Sequence, residues 1–199
     1  MNAISDTYRS IAAPAKGIYK ELGSKFLAFA HPVETEDQAK EILAAVRKEY
    51  FDARHHCFAW RLGLTGEPYR LSDDGEPSST AGRPIHGQLL SQELSDILVV
   101  VVRYFGGVKL GVPGLIRAYR TATQDALANA QIVEKVAGEH FTLKFGYLQM
   151  NDVMKVLKDM GITPLRQSFD LDCSLEVRVR LSQIEDFRKQ LSFCQIIVK

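Results

Sequence analysis

A chain of 199 residues, 46% hydrophobic and 25% charged, carries enough apolar mass for one large domain or two small ones, so a folded globular protein is the starting point. The net charge of +1 gives no global attraction to phosphate or to an acidic membrane, and any nucleic-acid contact has to come from a local basic patch. The leading MNAISDTYRS lacks the apolar core of a signal peptide, and the longest apolar run, residues 97–102, is too short to cross a bilayer. Three scattered cysteines, Cys57, Cys173 and Cys194, form neither a CxxC nor a paired ligand spacing and read as buried free thiols. A reducing, cytoplasmic compartment is expected, with no membrane partner and no cofactor.

In chain order, short strands are predicted at residues 8–11, 17–20 and 25–30. A helix follows over 36–50, with Thr35 and Gln38 as a capping box and Ala39, Ile42, Leu43, Val46 and Tyr50 as its core face. Next come a strand over 57–62, a turn-rich loop, a helix from 81 to about 90, a strand over 97–104 and a helix over 115–130. This is an α+β pattern with at least one strand-helix crossover.

The chain divides near residues 134–139, giving domains over 1–135 and 136–199. In the second, Phe141, Leu143 and Phe145 alternate as a strand, and Val153, Val156, Leu157 and Met160 mark a helix ended by Gly161. A strand over 162–169 carries Pro164, which belongs at its edge or start because proline cannot donate to a ladder. A turn over 170–173 leads to Leu175, Val177, Val179 and Leu181, alternating with Glu176, Arg178 and Arg180. A helix over 183–191, with Ser182 and Glu185 as its capping box, precedes a last strand over 193–198. Strand, helix, strand, strand, helix, strand is the ferredoxin-like (βαββαβ) order.

Three segments could carry chemistry. In DARHHC, residues 52–57, His55, His56 and Cys57 look like ligands, but neighbours on a strand point to opposite faces and cannot chelate one ion unaided. One histidine packed in and one exposed is the plainer expectation. In SDDGEPSSTAGRPI, residues 72–85, a tight turn falls at Asp74 and Gly75, and Asp73, Asp74 and Glu76 could share a divalent cation or act as acid and base. Equally, they could cap backbone amides and pair with Arg83 or Arg103, with residues 78–80 supplying the next N-cap. In VVVRYFGGVKLGVPGLIRAYR, residues 100–120, a buried strand runs into a connection bearing Gly106, Gly107, Gly111 and Gly114. Free amides at a helix start, with Arg103, Lys109 and Arg117 nearby, suit phosphate, whereas the structural alternative is that the glycines only supply positive φ and close packing. Neither GxGxxG nor GxxxxGK[ST] is present.

DARHHCFAW, SDDGEPSSTAGRPI and VVVRYFGGVKLGVPGLIRAY stand in the order and spacing of the IMPACT/YigZ family, which the chain resembles over nearly its whole length. The resemblance implies a first domain similar to the second domain of ribosomal protein uS-five, containing a left-handed crossover, and a ferredoxin-like second domain similar to domain five of elongation factor G. It implies a translation-associated role with the ribosome, RNA or a translation-related protein as partner, and no recognised catalysis. Where relatives often carry Gly-Thr-Gly-Gly, this chain has Gly111, Val112, Pro113 and Gly114, which removes a hydroxyl and one N–H donor. The expected phosphate or nucleic-acid contacts are Arg103, Tyr104, Gly106, Gly107, Lys109, Gly114 and Arg117, joined by Arg54, His55 and Arg83, with Arg178 and Arg180 as exposed strand charges. The alternatives are a metal-dependent hydrolase built on Asp73, Asp74 and Glu76, and an adaptor that binds only protein.

Overall fold

A computed structural model describes residues 6–170 and 172–198; the first five residues of the leading segment, and Leu171 of the 170–173 turn, lie outside the described residues. Two compact units divide the chain, one over Tyr8–Lys135 and one over residues 136–198 with Asp6 and Thr7.

The first unit runs β1 (Thr7–Ile11), β2 (Ala15–Glu21), β3 (Ser24–Pro32), α1 (Glu36–Glu49), β4 (His55–Arg61), β5 (Tyr69–Ser72), α2 (Gly82–Ser91), β6 (Ile97–Tyr104), α3 (Gly111–Ala128) and β7 (Ile132–Val136). Five strands form one antiparallel sheet in the order β2-β3-β6-β4-β5, while β1 and β7 pair separately. Strands β3 and β4 both run antiparallel to β6 and flank it, so α1 makes the crossover between them.

The central strand explains its own composition. Every residue from Ile97 to Val102 is 0% exposed, because both faces of the sheet are covered and the strand reads as a continuous apolar run. Ile97, Val99 and Val101 pack with Phe26, Ile85, Leu89, Ala118 and Tyr119 beneath α2 and α3. Leu98, Val100 and Val102 pack with Phe58, Trp60, Ala39 and Val46 on the side of α1. Small residues let α3 lie close on the sheet: a Cβ at Gly17 of β2 would sit 2.2 Å from the Ala126 nitrogen.

Several local expectations need correction. Thr35 Oγ1 does accept the Gln38 N–H at 3.2 Å, but the Gln38 amide oxygen reaches back to the Glu34 N–H, so only half of the capping box forms. Helix α3 begins at Gly111, four residues before the predicted start, because Pro113 falls in the first turn, where a missing N–H costs nothing. The short edge strand β5 was concealed in a loop of turn-forming residues.

The second unit contains β8 (Gly138–Gly146), α4 (Met150–Asp159), β9 (Pro164–Ser168), β10 (Asp172–Arg180), α5 (Ile184–Gln190) and β11 (Gln195–Val198), with sheet order β11-β8-β10-β9. The element sequence is the one predicted, and Pro164 opens the edge strand β9 as its chemistry requires. Phe141, Leu143, Leu175 and Val177 form the core with Val153, Leu157 and Phe187 from the helices. Gly161, at φ +69°, ends α4 in the left-handed conformation that favours glycine. The Ser182–Glu185 box is absent: the Ser182 hydroxyl donates to Asp6 Oδ2 at 2.6 Å instead, and α5 starts at Ile184 after a 3₁₀ turn.

Asp96 is the polar knot of the first unit. Its carboxylate, 4% exposed as a residue, accepts from the Tyr8 hydroxyl at 2.5 Å and the Gly63 N–H at 2.8 Å, and lies 3.3 Å from Lys135 Nζ. It therefore ties β1, the loop after β4 and β7 to one point. Asp96→Asn keeps the left-handed backbone, which asparagine tolerates, but loses the charge and is expected to cost about 2 kcal/mol in urea unfolding at constant m-value.

The His86 ring stacks on Tyr69 with centroids 4.6 Å apart, and burial, with the Arg61 charge adding to it, holds its pKa below the ordinary 6.5. The unfolded chain then binds the proton more readily, so this group's contribution to stability is lost as pH falls from 6.5 through the folded pKa. In His86→Gln, melting temperature between about pH 7 and pH 5 is expected to fall less steeply than in the parent.

Candidate functional site

Strand parity positions the first functional side chain. Arg103 follows Ile97, Val99 and Val101 on the α3 side of β6, so its guanidinium is carried under that helix instead of into solvent. The side chain is 8% exposed, and Nη1 donates to both Glu76 carboxylate oxygens, at 2.7 and 2.9 Å. Its guanidinium carbon lies 5.5 Å from the ring centroid of Phe26 and 5.6 Å from that of Phe105. The Tyr119 hydroxyl donates to Glu76 Oε1 at 2.7 Å, and the Cys57 thiol lies 3.3 Å from the Tyr119 oxygen. Burial, with the Glu76 charge adding to it, pushes both the Cys57 thiol and the Tyr119 phenol far above their ordinary values, so both stay protonated.

The acidic loop is fully engaged in holding structure together. Asp74 and Gly75 form the expected tight turn, at φ +42° and +86°. Asp73 accepts from the Ser79, Ala81 and Gly82 N–H groups at 2.8, 2.9 and 2.8 Å, capping α2 from eight residues upstream of Ala81. Residues 78–80 therefore do not supply that cap. Asp74 accepts from the His56 N–H at 2.7 Å and from Arg47 at 2.8 Å. With Glu76 committed to Arg103 and Tyr119, the three carboxylates face separate donors, and among the described residues no three His, Cys, Asp or Glu side chains gather as a metal cradle. The acid-loop hydrolase thus has no geometric support. His55 is half-buried, with Nδ1 2.8 Å from the Asp74 carbonyl oxygen, whereas His56 is buried with Nε2 3.0 Å from the Tyr50 carbonyl oxygen.

Above the buried pair a cavity of about 480 Å³ opens, lined by Arg54, His55, Pro77, Phe105, Lys109, Leu110, Val112 and the start of α3 at Gly111. Phe105 is 57% and Val112 52% exposed, a large apolar presentation for a surface bend. Arg54 and Lys109 are exposed, and neither has a carboxylate ion-pair partner among the described residues. The first turn of α3 carries no acidic residue and no side-chain cap, which leaves the positive end of the helix dipole beside these cations.

Other predicted contacts lie elsewhere. Tyr104, one residue from Arg103, points to the opposite sheet face and donates to Asp52 Oδ1 at 2.7 Å; that bond pushes its phenol up to about 12. Gly106 is a packing residue: its N–H donates to Ser24 Oγ at 3.1 Å, and a Cβ there would lie 1.9 Å from the Gly23 carbonyl carbon. Gly107, at φ +90°, turns the chain, and Gly114 is buried, with a Cβ there falling 2.9 Å from Leu110 Cβ. Arg117 pairs with Glu21. Arg83 lines a different groove, between α2 and α3. In the second unit Arg178 donates to the Val136 carbonyl at 2.8 Å and Arg180 Nε lies 3.4 Å from Asp6, so both strand charges have local partners. Sequence reading missed Phe105 and Val112; the signal available was that Phe105 extends the odd-numbered row from Ile97 to Arg103 past the end of the strand.

Together these features define a two-unit α+β protein with a cationic, partly aromatic pocket, braced from below by a buried ion pair. A family model, the Impact N-terminal domain, matches residues 22–127. The IMPACT family member YigZ of Escherichia coli is 32% identical over 183 residues, covering 91% of this chain and 90% of that protein. The chain belongs to the IMPACT family. A crystal structure of a hypothetical protein overlays with a TM-score of 0.74 at 28% identity, covering 98% of both chains. The structure of the two-domain translational regulator Yih1 is matched at 25% identity over 61% of this chain and 47% of that one, with a TM-score of 0.36.

Removing one member of the buried pair leaves an uncompensated charge. Glu76→Leu is expected to cost about 3–5 kcal/mol, whereas Glu76→Leu with Arg103→Met recovers most of it; a denaturation double-mutant cycle measures the coupling.

Proposed function

We propose that this protein is a translation-associated binding protein that contacts RNA, on the ribosome or free, through the pocket bounded by Arg54, His55, Lys109 and Phe105, and works in the cytoplasm without catalysis. The translational setting is what family membership implies. The carrying observation is chemical: two exposed cations with no carboxylate partner among the described residues stand beside an exposed aromatic ring and the uncapped start of α3. Cations hold phosphate, and a ring accepts a stacked base. The one acid in the pocket wall, Glu76, is neutralised by Arg103 and repels no phosphate. Arg103 supports this surface from beneath, and the contacts assigned from sequence to Tyr104, Gly106, Gly114 and Arg117 are not part of the proposal. In the same reading the second unit is ferredoxin-like and the first resembles the second domain of ribosomal protein uS-five.

The test is ribosome and RNA co-sedimentation across a salt series. Wild-type binding is expected to fall steeply with salt. Arg54→Glu with Lys109→Glu is expected to weaken it and to flatten the slope of log K against log salt by about 0.7 for each single-strand phosphate that is no longer neutralised. Binding that ignores salt, or partners that survive nuclease treatment and are unaffected by this double variant, would point to the protein adaptor instead.

A further inference from the structure

A second recess of about 560 Å³ lies between α2 and α3, lined by Ser79, Arg83, Gln88, Ile116, Arg120 and Gln124 among others, and it contains no carboxylate. Arg83 and Arg120 are exposed, and neither has an ion-pair partner among the described residues. Two independent features join this recess to the first pocket. Along the 76–79 loop, Pro77 lines the pocket and Ser79 the recess; along α3, Leu115 lines the pocket and Ile116 the recess. Val112, Ile116, Arg120 and Gln124 recur every four residues and form one slowly winding row about 18 Å long on the helix. Cations therefore stand at both ends of one carboxylate-poor track, Arg54 and Lys109 at the helix start and Arg83 and Arg120 further along.

We infer that a single, unpaired RNA strand is the ligand, running along α3 from the Phe105 pocket to the Arg83–Arg120 recess. This inference rests on the RNA reading above and adds strandedness, path and length. The exposed ring of Phe105 offers a stacking platform only to a base whose face is free, which a duplex provides at its two end pairs alone and a single strand at every position. Two charged clusters joined by apolar and amide side chains suit a phosphate backbone followed over several nucleotides, with Gln88 and Gln124 able to donate and accept along it. The absence of acids from the recess favours a polyanion throughout.

The probe is a 5′-labelled oligouridine of about four nucleotides beside one of about ten, with a blunt RNA duplex as control, all read by fluorescence anisotropy. The longer strand is expected to bind about tenfold tighter than the shorter, and both tighter than the duplex. Arg83→Glu with Arg120→Glu is expected to erase that length advantage while leaving the short strand's affinity unchanged, which also shows that the variant is folded. Arg54→Glu with Lys109→Glu is expected to weaken both strands. A duplex that binds as well as the single strand, or a length advantage that survives in Arg83→Glu with Arg120→Glu, overturns the track while leaving the pocket reading intact. If neither oligouridine nor duplex binds the wild-type protein, the RNA reading fails and the track with it.

Discussion

The buried pair between Arg103 and Glu76 is the constraint around which the first unit is organised. A guanidinium carried under α3 by strand parity cannot be hydrated there, so a carboxylate must meet it, and the 73–82 loop bends back to supply one. The same bend brings Asp73 to the start of α2 and Asp74 to the His56 amide, while Tyr119 from α3 closes the network. Loop, strand and helix are held to a single geometry, and the pocket above them has walls that need little ordering before a ligand arrives.

That arrangement changes the meaning of the most conspicuous residues. Arginine and acids in a loop look like a reactive site in a sequence, yet here they are the foundation, and the groups free to meet a partner are the plainer Arg54, Lys109 and Phe105. The residues at the start of α3 fit this picture. Val112 lines the pocket with apolar wall and Pro113 has no N–H to offer, so charge contacts in the pocket fall to side chains more than to backbone amides.

Much of the architecture was legible because burial leaves a period. The all-apolar run from Ile97 to Val102 announces a strand covered on both faces, and the alternation from Leu175 to Arg180 announces one covered on a single face. Short elements were harder: β5 has four residues amid turn formers, and Pro113 hid the true start of α3. The pairing of Ser182 with Asp6 could not be foreseen, since it joins residues 176 positions apart and displaces a local capping box that sequence alone favours. Likewise, which acid serves which donor in the 73–76 loop depends on tertiary approach. Parity could have separated Arg103 from Tyr104, because adjacent strand residues face opposite ways.

The close approach of Gly17 to Ala126 couples distant parts of the unit. Helix α3 brings its backbone close to the sheet there, near its last turn, where Asp125 also accepts the Ile18 N–H at 2.8 Å, while its first turn, at Val112, forms the rim of the pocket about 21 Å away at an ordinary helical rise. A side chain at that glycine would act as a wedge beneath one end of a rigid rod, and the displacement would be felt at the other end. A glycine that lies outside the pocket thus bears on where one edge of it stands.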